Sequence, residues 1–292
     1  VAGFDLHTHT TFSDGTTTPE QNVRDAVELG LEGLGVTDHD TTASYGPATA
    51  AADGTGLEVV LGTEFSAELD GSSVHVLGYW IDPGYGPLVD ELERLRNERE
   101  DRARAIVEKF HALGIEVAFA RVQELAGEAP IGRPHLAQAV VETGAAPDTR
   151  TVFDRWLADG GPAYVEKHAV TPERAVELLV ASGGVAVLAH PGLFGVPGEP
   201  GRGAPANDGR ALGPGLADEV VERMAAGGLA GIEADHPDHT DEHRRRYRDL
   251  ASGLGLEVTA GSDYHGAGKD NPLGRATTER EVVERLRTWR RA

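Results

Sequence analysis

Residues 5–15 read DLHTHTTFSDG, and the segment from Thr18 to Gly30 reads TPEQNVRDAVELG. Together they spell a short strand, a polar turn and a helix. Successive side chains of a strand point to opposite faces, so His7 and His9 share one face and Thr8 takes the other, where its expected role is structural. Gly15 permits the tight turn that brings Asp14 back toward the two histidines. Thr18 is placed to cap the helix, Pro19 fits its first turn and Gly30 ends it.

The same unit recurs along the chain. LGVTDHD (34–40), LEVVLGTEFSA (57–67), SVHVLGYWI (73–81), GGVAVLAHP (183–191), GLAGIEADHP (228–237) and LEVTAGSDYH (256–265) read as strands. Helical patterns lie between most of them, including TPERAVELLVASGG and TDEHRRRYRDLASGLG. Strands alternating with helices predict an α/β protein with a parallel sheet, open or closed into a barrel.

One stretch interrupts this rhythm. From 86 to 162 the pattern is helical without strong strands, with Leu88, Leu92, Leu95, Ala103, Ile106, Phe110 and Leu113 at helical spacing. Shorter helices are expected near 120–127, 134–143 and 148–159. The chain therefore divides into 1–85 and 163–292, two parts of one α/β domain, and a helical insertion at 86–162. The segment 195–215 is rich in Gly and Pro and reads as a loop, a candidate lid.

Composition narrows the function classes. The chain has 292 residues, a formal net charge of −21 and no cysteine. Thiolate metal sites and disulfides are excluded, so any metal must be held by His, Asp and Glu. The acidity argues against binding long nucleic acid, because phosphate contacts from Lys and Arg supply most of that affinity. A small phosphorylated substrate remains compatible, since bound cations invert the local charge. No apolar run is long enough for a membrane span, and no signal-peptide pattern is visible. The expected location is cytoplasmic.

The twelve histidines fall mostly at strand ends. His7, His9, His39, His75, His190 and His265, with Asp14, Glu64 and Asp263, lie at the ends or on the inner faces of predicted strands. In parallel α/β folds the loops after the strands converge at one end. Burying these carboxylates and imidazoles together without cations would be costly in desolvation and repulsion. A divalent metal centre is therefore expected. His111 and His243 read as solvated helix residues, and His168 is ambiguous.

The motifs DLHTHTTFSDG, GVTDHDT, GTEFSA, HVLGYWID, LAHPG and GSDYHG resemble, in order, those of the PHP (polymerase and histidinol phosphatase) superfamily. Within it the chain looks most like the stand-alone phosphoesterase branch that includes nucleoside 3′,5′-bisphosphate phosphatase and RNase AM-type enzymes, which also carry a helical insertion. The resemblance implies a distorted (β/α)7 TIM-like barrel and two or three divalent ions. His7, His9, Glu64 and Asp263 would hold one ion. Glu64, His75 and His190 would hold a second, and Asp14, His39 and His265 a third. The donor set suits Mn, Fe or Zn without choosing among them.

Such a centre lowers the pKa of a bound water and orients a phosphate. The expected nucleophile is a metal-bound hydroxide held by His7, His9, Asp14, Glu64 and Asp263, with Asp38 or Asp40 as candidates for handling protons. Arg133 and His135, in IGRPHLA at the start of a helix, are candidate phosphate contacts. His236 and His239, after the strand ending near 235, are candidate substrate contacts, and Lys167 is a weaker one. The expected activity removes the 3′-phosphate of nucleoside 3′,5′-bisphosphates or releases nucleotides from the 5′ ends of short RNA. The alternatives are a cyclic-phosphate, sugar-phosphate or histidinol-phosphate hydrolase and, in another class, a non-catalytic metal-binding module. A metal-dependent amidohydrolase is disfavoured by the order of the motifs. Oligomeric state is not legible.

Overall fold

A computed structural model of the chain describes residues 3–126, 131–158, 160–166, 168–194 and 214–290. Lys167 and nearly all of the candidate lid at 195–215 lie outside the described residues. The described elements form two compact units, residues 1–92 with 170–292, and residues 93–169. Both boundaries fall further along the chain than 86 and 162.

The first unit is built on a seven-stranded sheet. Its elements are β1 (Phe4–Asp5), α1 (Pro19–Leu29), β2 (Gly33–Val36), α2 (Tyr45–Ala52), β3 (Glu58–Leu69), β4 (Ser72–Tyr79) and the start of α3 (Gly86–Ala112). The second unit contains the rest of α3, with α4 (Phe119–Ala126), α5 (Arg133–Glu142) and α6 (Thr149–Val152), which runs on into a π-turn at Phe153–Leu157. The first unit resumes with α7 (Pro172–Ala181), β5 (Val185–Leu188), α8 (Asp218–Ala226), β6 (Leu229–Asp235), α9 (Asp241–Leu254), β7 (Glu257–Ala260) and α10 (Arg280–Thr288).

The strands follow one another around the sheet in sequence order. β1–β2, β2–β3, β5–β6 and β6–β7 pair in parallel. A wholly parallel sheet is corrected at β4, which runs antiparallel to both β3 and β5. No helix separates β3 from β4; they form a hairpin through Asp70 (φ 50°) and Gly71 (φ 79°). Both residues have the positive φ that a two-residue primed turn requires. Beyond β1 and β7, Thr8 bridges Tyr264 in parallel. The His9 amide donates to the Tyr264 carbonyl at 2.8 Å, which draws the two ends of the sheet together into a barrel.

The barrel is filled by Phe4, Leu6, Val60, Leu77, Tyr79, Val185 and Val187, all buried, with Val283 and Leu286 of α10 packed against them. The Tyr79 hydroxyl donates to the Leu6 carbonyl at 3.1 Å, so even this large ring keeps its polar end satisfied. Thr18, Thr171 and Thr240 cap α1, α7 and α9 through their side chains, as the Thr-Pro and Thr-Asp-Glu patterns predict. The second unit has its own core, centred on Ile106, Phe110, Leu136, Val140, Val152 and Leu157. No helix of the described residues is long and apolar enough to cross a membrane.

Candidate metal centre

The regular part of β1 ends at Asp5, so His7 and His9 sit just past it rather than inside a strand. The extended run is nonetheless fixed on its other face. Thr8 Oγ1 donates to the Gly35 carbonyl at 2.6 Å, and the Thr8 amide donates to Thr37 Oγ1 at 3.1 Å. With Thr8 locked outward, both imidazoles turn inward, and both are fully buried.

The turn after them is held by Asp38. Its carboxylate accepts the Thr10 amide at 2.7 Å, the Thr10 hydroxyl at 2.8 Å and the Ser13 hydroxyl at 2.7 Å. Gly15 closes the turn because a Cβ there would lie 2.7 Å from the His9 carbonyl. These bonds aim Asp14 at the cluster, where its carboxylate lies 3.2 Å from His265 Nε2 and 3.5 Å from His9 Nδ1. Asp38 is thus a scaffold for the loop. Asp40 accepts the Ser66 amide at 2.8 Å. Asp38 is therefore taken up by the loop, whereas Asp40 still interacts electrostatically with His75 and Glu64.

Glu64 lies in the middle of the long β3. Its Oε2 is 3.1 Å from His7 Nε2, 3.0 Å from His9 Nε2 and 3.3 Å from His39 Nε2. Its Oε1 is 2.8 Å from His75 Nδ1 and 3.0 Å from His190 Nε2. Asp263 Oδ1 lies 3.5 Å from His7 Nε2 and 3.3 Å from His9 Nε2. All nine expected residues therefore come together, from four different strand ends and the β3–β4 hairpin.

Three groups have ligand atoms close enough to share an ion: His7, His9, Glu64 and Asp263; His9, Asp14, His39 and His265; and His39, Glu64 and His75. The first group is the one implied by the resemblance. The second adds His9 to the expected trio. In the third, His39 stands where His190 was expected, while His190 approaches the same Glu64 oxygen as His75.

The donor set fits divalent ions on a specific observation. Glu64 Oε2, Asp263 Oδ1, His75 Nδ1 and His265 Nε2 are buried without a hydrogen-bond partner. Buried polar atoms are ordinarily satisfied, and unpaired ones are costly. Here they converge on one another, and a cation among them removes that cost. Two atoms on the far side of the cluster are paired. Lys269 Nζ pairs with Asp263 Oδ2, and Glu233 accepts from His7 Nδ1 at 3.1 Å.

The electrostatics agree. Burial alone would lift the Glu64 and Asp263 carboxyls, but the surrounding imidazoles, with Lys269 beside Asp263, hold both well below the usual carboxylate range. Burial also opposes a charge on His9, yet Asp263, Glu64 and Asp14 raise its pKa to about 9. Burial lowers that of His39 to about 3. The backbone is strained at the same place: His190 has φ 26° and Asp263 has φ 53°, conformations that non-glycine residues persist in only when their surroundings fix them.

The four expected substrate contacts fare differently. His239 is buried, its Nδ1 bonds the Ala234 carbonyl at 2.8 Å and its Nε2 accepts the Gly192 amide at 3.0 Å. Both ring nitrogens are consumed by backbone, so a substrate contact for His239 is corrected to a structural bond between the β5 and β6 loops. His236 is also fully buried; Nδ1 accepts the Asp238 amide at 3.1 Å, and Nε2 lies 3.4 Å from Asp263 Oδ2. It backs a carboxylate of the cluster rather than facing solvent. His243, expected on a solvated face, is buried against His239 and Tyr247.

In the second unit, Arg133 and His135 occupy the first turn of α5, and the Gly132 amide donates to His135 Nδ1 at 3.1 Å. His111 bonds the Val117 carbonyl at 2.7 Å, and the His168 amide donates to Glu98 at 3.2 Å. Glu233, Gly261 and Lys269 were not singled out by the sequence. The one visible signal was an acidic residue inside the apolar run LAGIEAD.

A family model described as the PHP domain matches residues 5–95. The 3′,5′-nucleoside bisphosphate phosphatase of Chromobacterium violaceum is 34% identical over 270 residues, covering 92% of this chain and 89% of that protein. The 5′–3′ exoribonuclease Rnm of Escherichia coli is 38% identical over 193 residues, 65% of this chain and 66% of that one. Among solved structures, a candidate metal-dependent phosphoesterase from Bifidobacterium adolescentis matches with a TM-score of 0.71 and 32% identity, covering 100% of this chain and 98% of the other. With its motifs converging on one polar cluster and a relative matched over nearly its whole length, the chain belongs to the PHP family and is a phosphoesterase of the metal-dependent kind.

Proposed function

We propose that the enzyme removes the 3′-phosphate of a nucleoside 3′,5′-bisphosphate, using two or three divalent ions held by His7, His9, Asp14, His39, Glu64, His75, His190, Asp263 and His265. The observation that carries this reading is the convergence of unpartnered buried donors from separate strand ends. The similarity to a bisphosphate phosphatase over most of both chains supports the substrate. Divalent ions in such a cluster supply an activated water and neutralise phosphate charge.

The residues of the chain do the rest. Glu64 offers its two oxygens to different groups of imidazoles, so it fixes their spacing. Asp14, the exposed member of the cluster, marks the side from which a phosphate enters; its side chain is 39% accessible, against 1% for Glu64 and Asp263. The buried walls exclude bulk water from the rest, which strengthens every charge interaction inside. No side-chain nucleophile is needed.

Arg133 and His135 are assigned to a second anionic group of the substrate. The support is local: an Arg and a His in the first turn of a helix, where backbone N–H groups and the helix dipole favour anions. The relative named as an exoribonuclease favours extending the substrate to the 5′ ends of short RNA.

The deciding experiment compares phosphate or nucleotide release from a 3′,5′-bisphosphate, a 5′-phosphorylated oligoribonucleotide, a cyclic phosphate and histidinol phosphate. The proposal expects the bisphosphate to have the highest kcat/KM. A cyclic phosphate or histidinol phosphate in that place overturns the substrate assignment. Inactivity on all four with ions bound overturns the catalytic reading in favour of a metal-binding module.

A further inference from the structure

We infer that Glu233 is a positioning residue: its carboxylate fixes His7 with the proton on Nδ1, so that Nε2 is the atom turned toward the metal ions. The inference rests on the metal-centre reading above and adds a residue to it.

Glu233 lies on β6, an otherwise apolar strand, and is fully buried. Its two oxygens stand 3.1 Å and 3.2 Å from His7 Nδ1. One of them also accepts the backbone N–H of His190 at 3.1 Å. A single carboxylate therefore grips two members of the cluster, the side chain of one and the strained backbone of the other.

The bond decides the tautomer. A carboxylate is only an acceptor, so the nitrogen beside it must carry the proton. With the proton instead on Nε2, an imidazole lone pair would face a buried carboxylate at 3.1 Å with nothing between them. Proton on Nδ1 leaves the Nε2 lone pair directed at Glu64 Oε2 (3.1 Å), His9 Nε2 (3.1 Å) and Asp263 Oδ1 (3.5 Å). Those separations suit donors sharing an ion, which takes the place of the proton that Nε2 carries toward the same carboxylates in the metal-free protein.

Gly261 supplies an independent sign that the contact is built into the fold. A Cβ there would lie 2.4 Å from the His7 Cβ and 2.6 Å from Glu233 Oε1. The β7 end passes so close to this pair that only glycine leaves room for it. A buried carboxylate with no partner would cost several kcal/mol, and His7 is the only side-chain partner that the described residues give Glu233. Groups that orient metal-binding histidines typically affect affinity by about 10–100-fold.

The test measures ion binding, not turnover. Wild type and Glu233→Gln are stripped of metal, then titrated with Mn²⁺ or Zn²⁺ against a chromophoric chelator, with the melting temperature of each metal-free protein recorded. Glu233→Gln is expected to bind the tightest ion about 10–100-fold more weakly while melting cooperatively. Affinity unchanged within about twofold, against that scale, overturns the inference. Should the variant fail to fold, ¹⁵N NMR of the Zn²⁺-loaded wild type decides: the His7 ring is expected to be protonated at Nδ1 and ligated through Nε2, and ligation through Nδ1 overturns it. If wild type itself takes up no ion, the metal-centre reading falls; if wild type binds and the variant binds equally, only the role of Glu233 falls.

Discussion

Glu64 Oε1 stands 2.8 Å from His75 Nδ1 across the antiparallel β3–β4 pair, where the register sets Ser66 directly against His75. The other oxygen of the same carboxylate reaches His7, His9 and His39. Glu64, like His9 and His39, belongs to two of the ion-binding groups, and it is the only carboxylate that does, so its removal touches both at once. Glu64→Ala should lower kcat by about 10³-fold or more, the scale seen when one member of an interdependent catalytic set is removed. Elemental analysis should show more than one ion lost per chain.

Metal uptake should release protons. In the metal-free protein burial opposes a charge on both rings, but Glu233, Glu64 and Asp263 hold His7 protonated, and Asp263, Glu64 and Asp14 hold His9 protonated, raising its pKa to about 9. Ions must displace those protons, so apparent affinity should rise with pH up to about 9. The sign for stability is opposite. A histidine whose folded pKa is raised contributes stability that is complete below its unfolded pKa, about 6.5, and lost as pH rises through the folded value. Metal-free protein should therefore melt at a lower temperature at pH 9 than at pH 6.5, and metal-loaded protein should not share that loss. Calorimetry with and without a chelator checks both.

Gly261→Ala should destabilise the protein by about 1–3 kcal/mol, the usual cost of forcing atoms into a close-packed site. The added methyl would press on His7 and Glu233, so ion affinity should fall along with the melting temperature. A melting shift with affinity preserved would show that the neighbours give way without moving His7.

Asp38→Ala leaves the Thr10 amide and the Thr10 and Ser13 hydroxyls without their shared acceptor. Each lost bond to a charged group is worth about 1.5–3 kcal/mol. The variant should be markedly less stable, and the ion held through Asp14 should be the first lost, because this loop carries Asp14. Stoichiometry by mass spectrometry under native conditions reads that loss.

His239→Ala separates structure from substrate binding. Both ring nitrogens bond backbone groups, so the variant should lose about 1–3 kcal/mol of stability with KM for the bisphosphate unchanged. A rise in KM without a melting shift would restore the substrate role.

The convergence of the polar cluster was legible because its members sit in short motifs at strand ends, and any barrel of such strands gathers those ends. The grouping of His7, Glu64 and Asp263 around one ion came from the resemblance, motif by motif, and needed no knowledge of packing. The antiparallel β4 was not read, although Asp70-Gly71 between two apolar runs is a hairpin signal; the helix–strand alternation around it took precedence. Glu233 was invisible for a different reason. Its partner His7 lies 226 residues away, and a lone Glu in an apolar strand carries no local mark of that pairing. The structural bonds of His239 were not legible, because proximity to a site says nothing about which backbone groups claim a ring nitrogen.

The central claim is that phosphoester hydrolysis depends on ions held by this cluster. The most direct measurement strips the protein of metal, adds Mn²⁺ or Zn²⁺ back in steps, and follows bound ions per chain together with phosphate released from a nucleoside 3′,5′-bisphosphate. The account predicts negligible release from the stripped protein, with activity returning as the second or third site fills and absent from Glu64→Ala at the same added metal. Full activity in the stripped protein, or in Glu64→Ala, would contradict it.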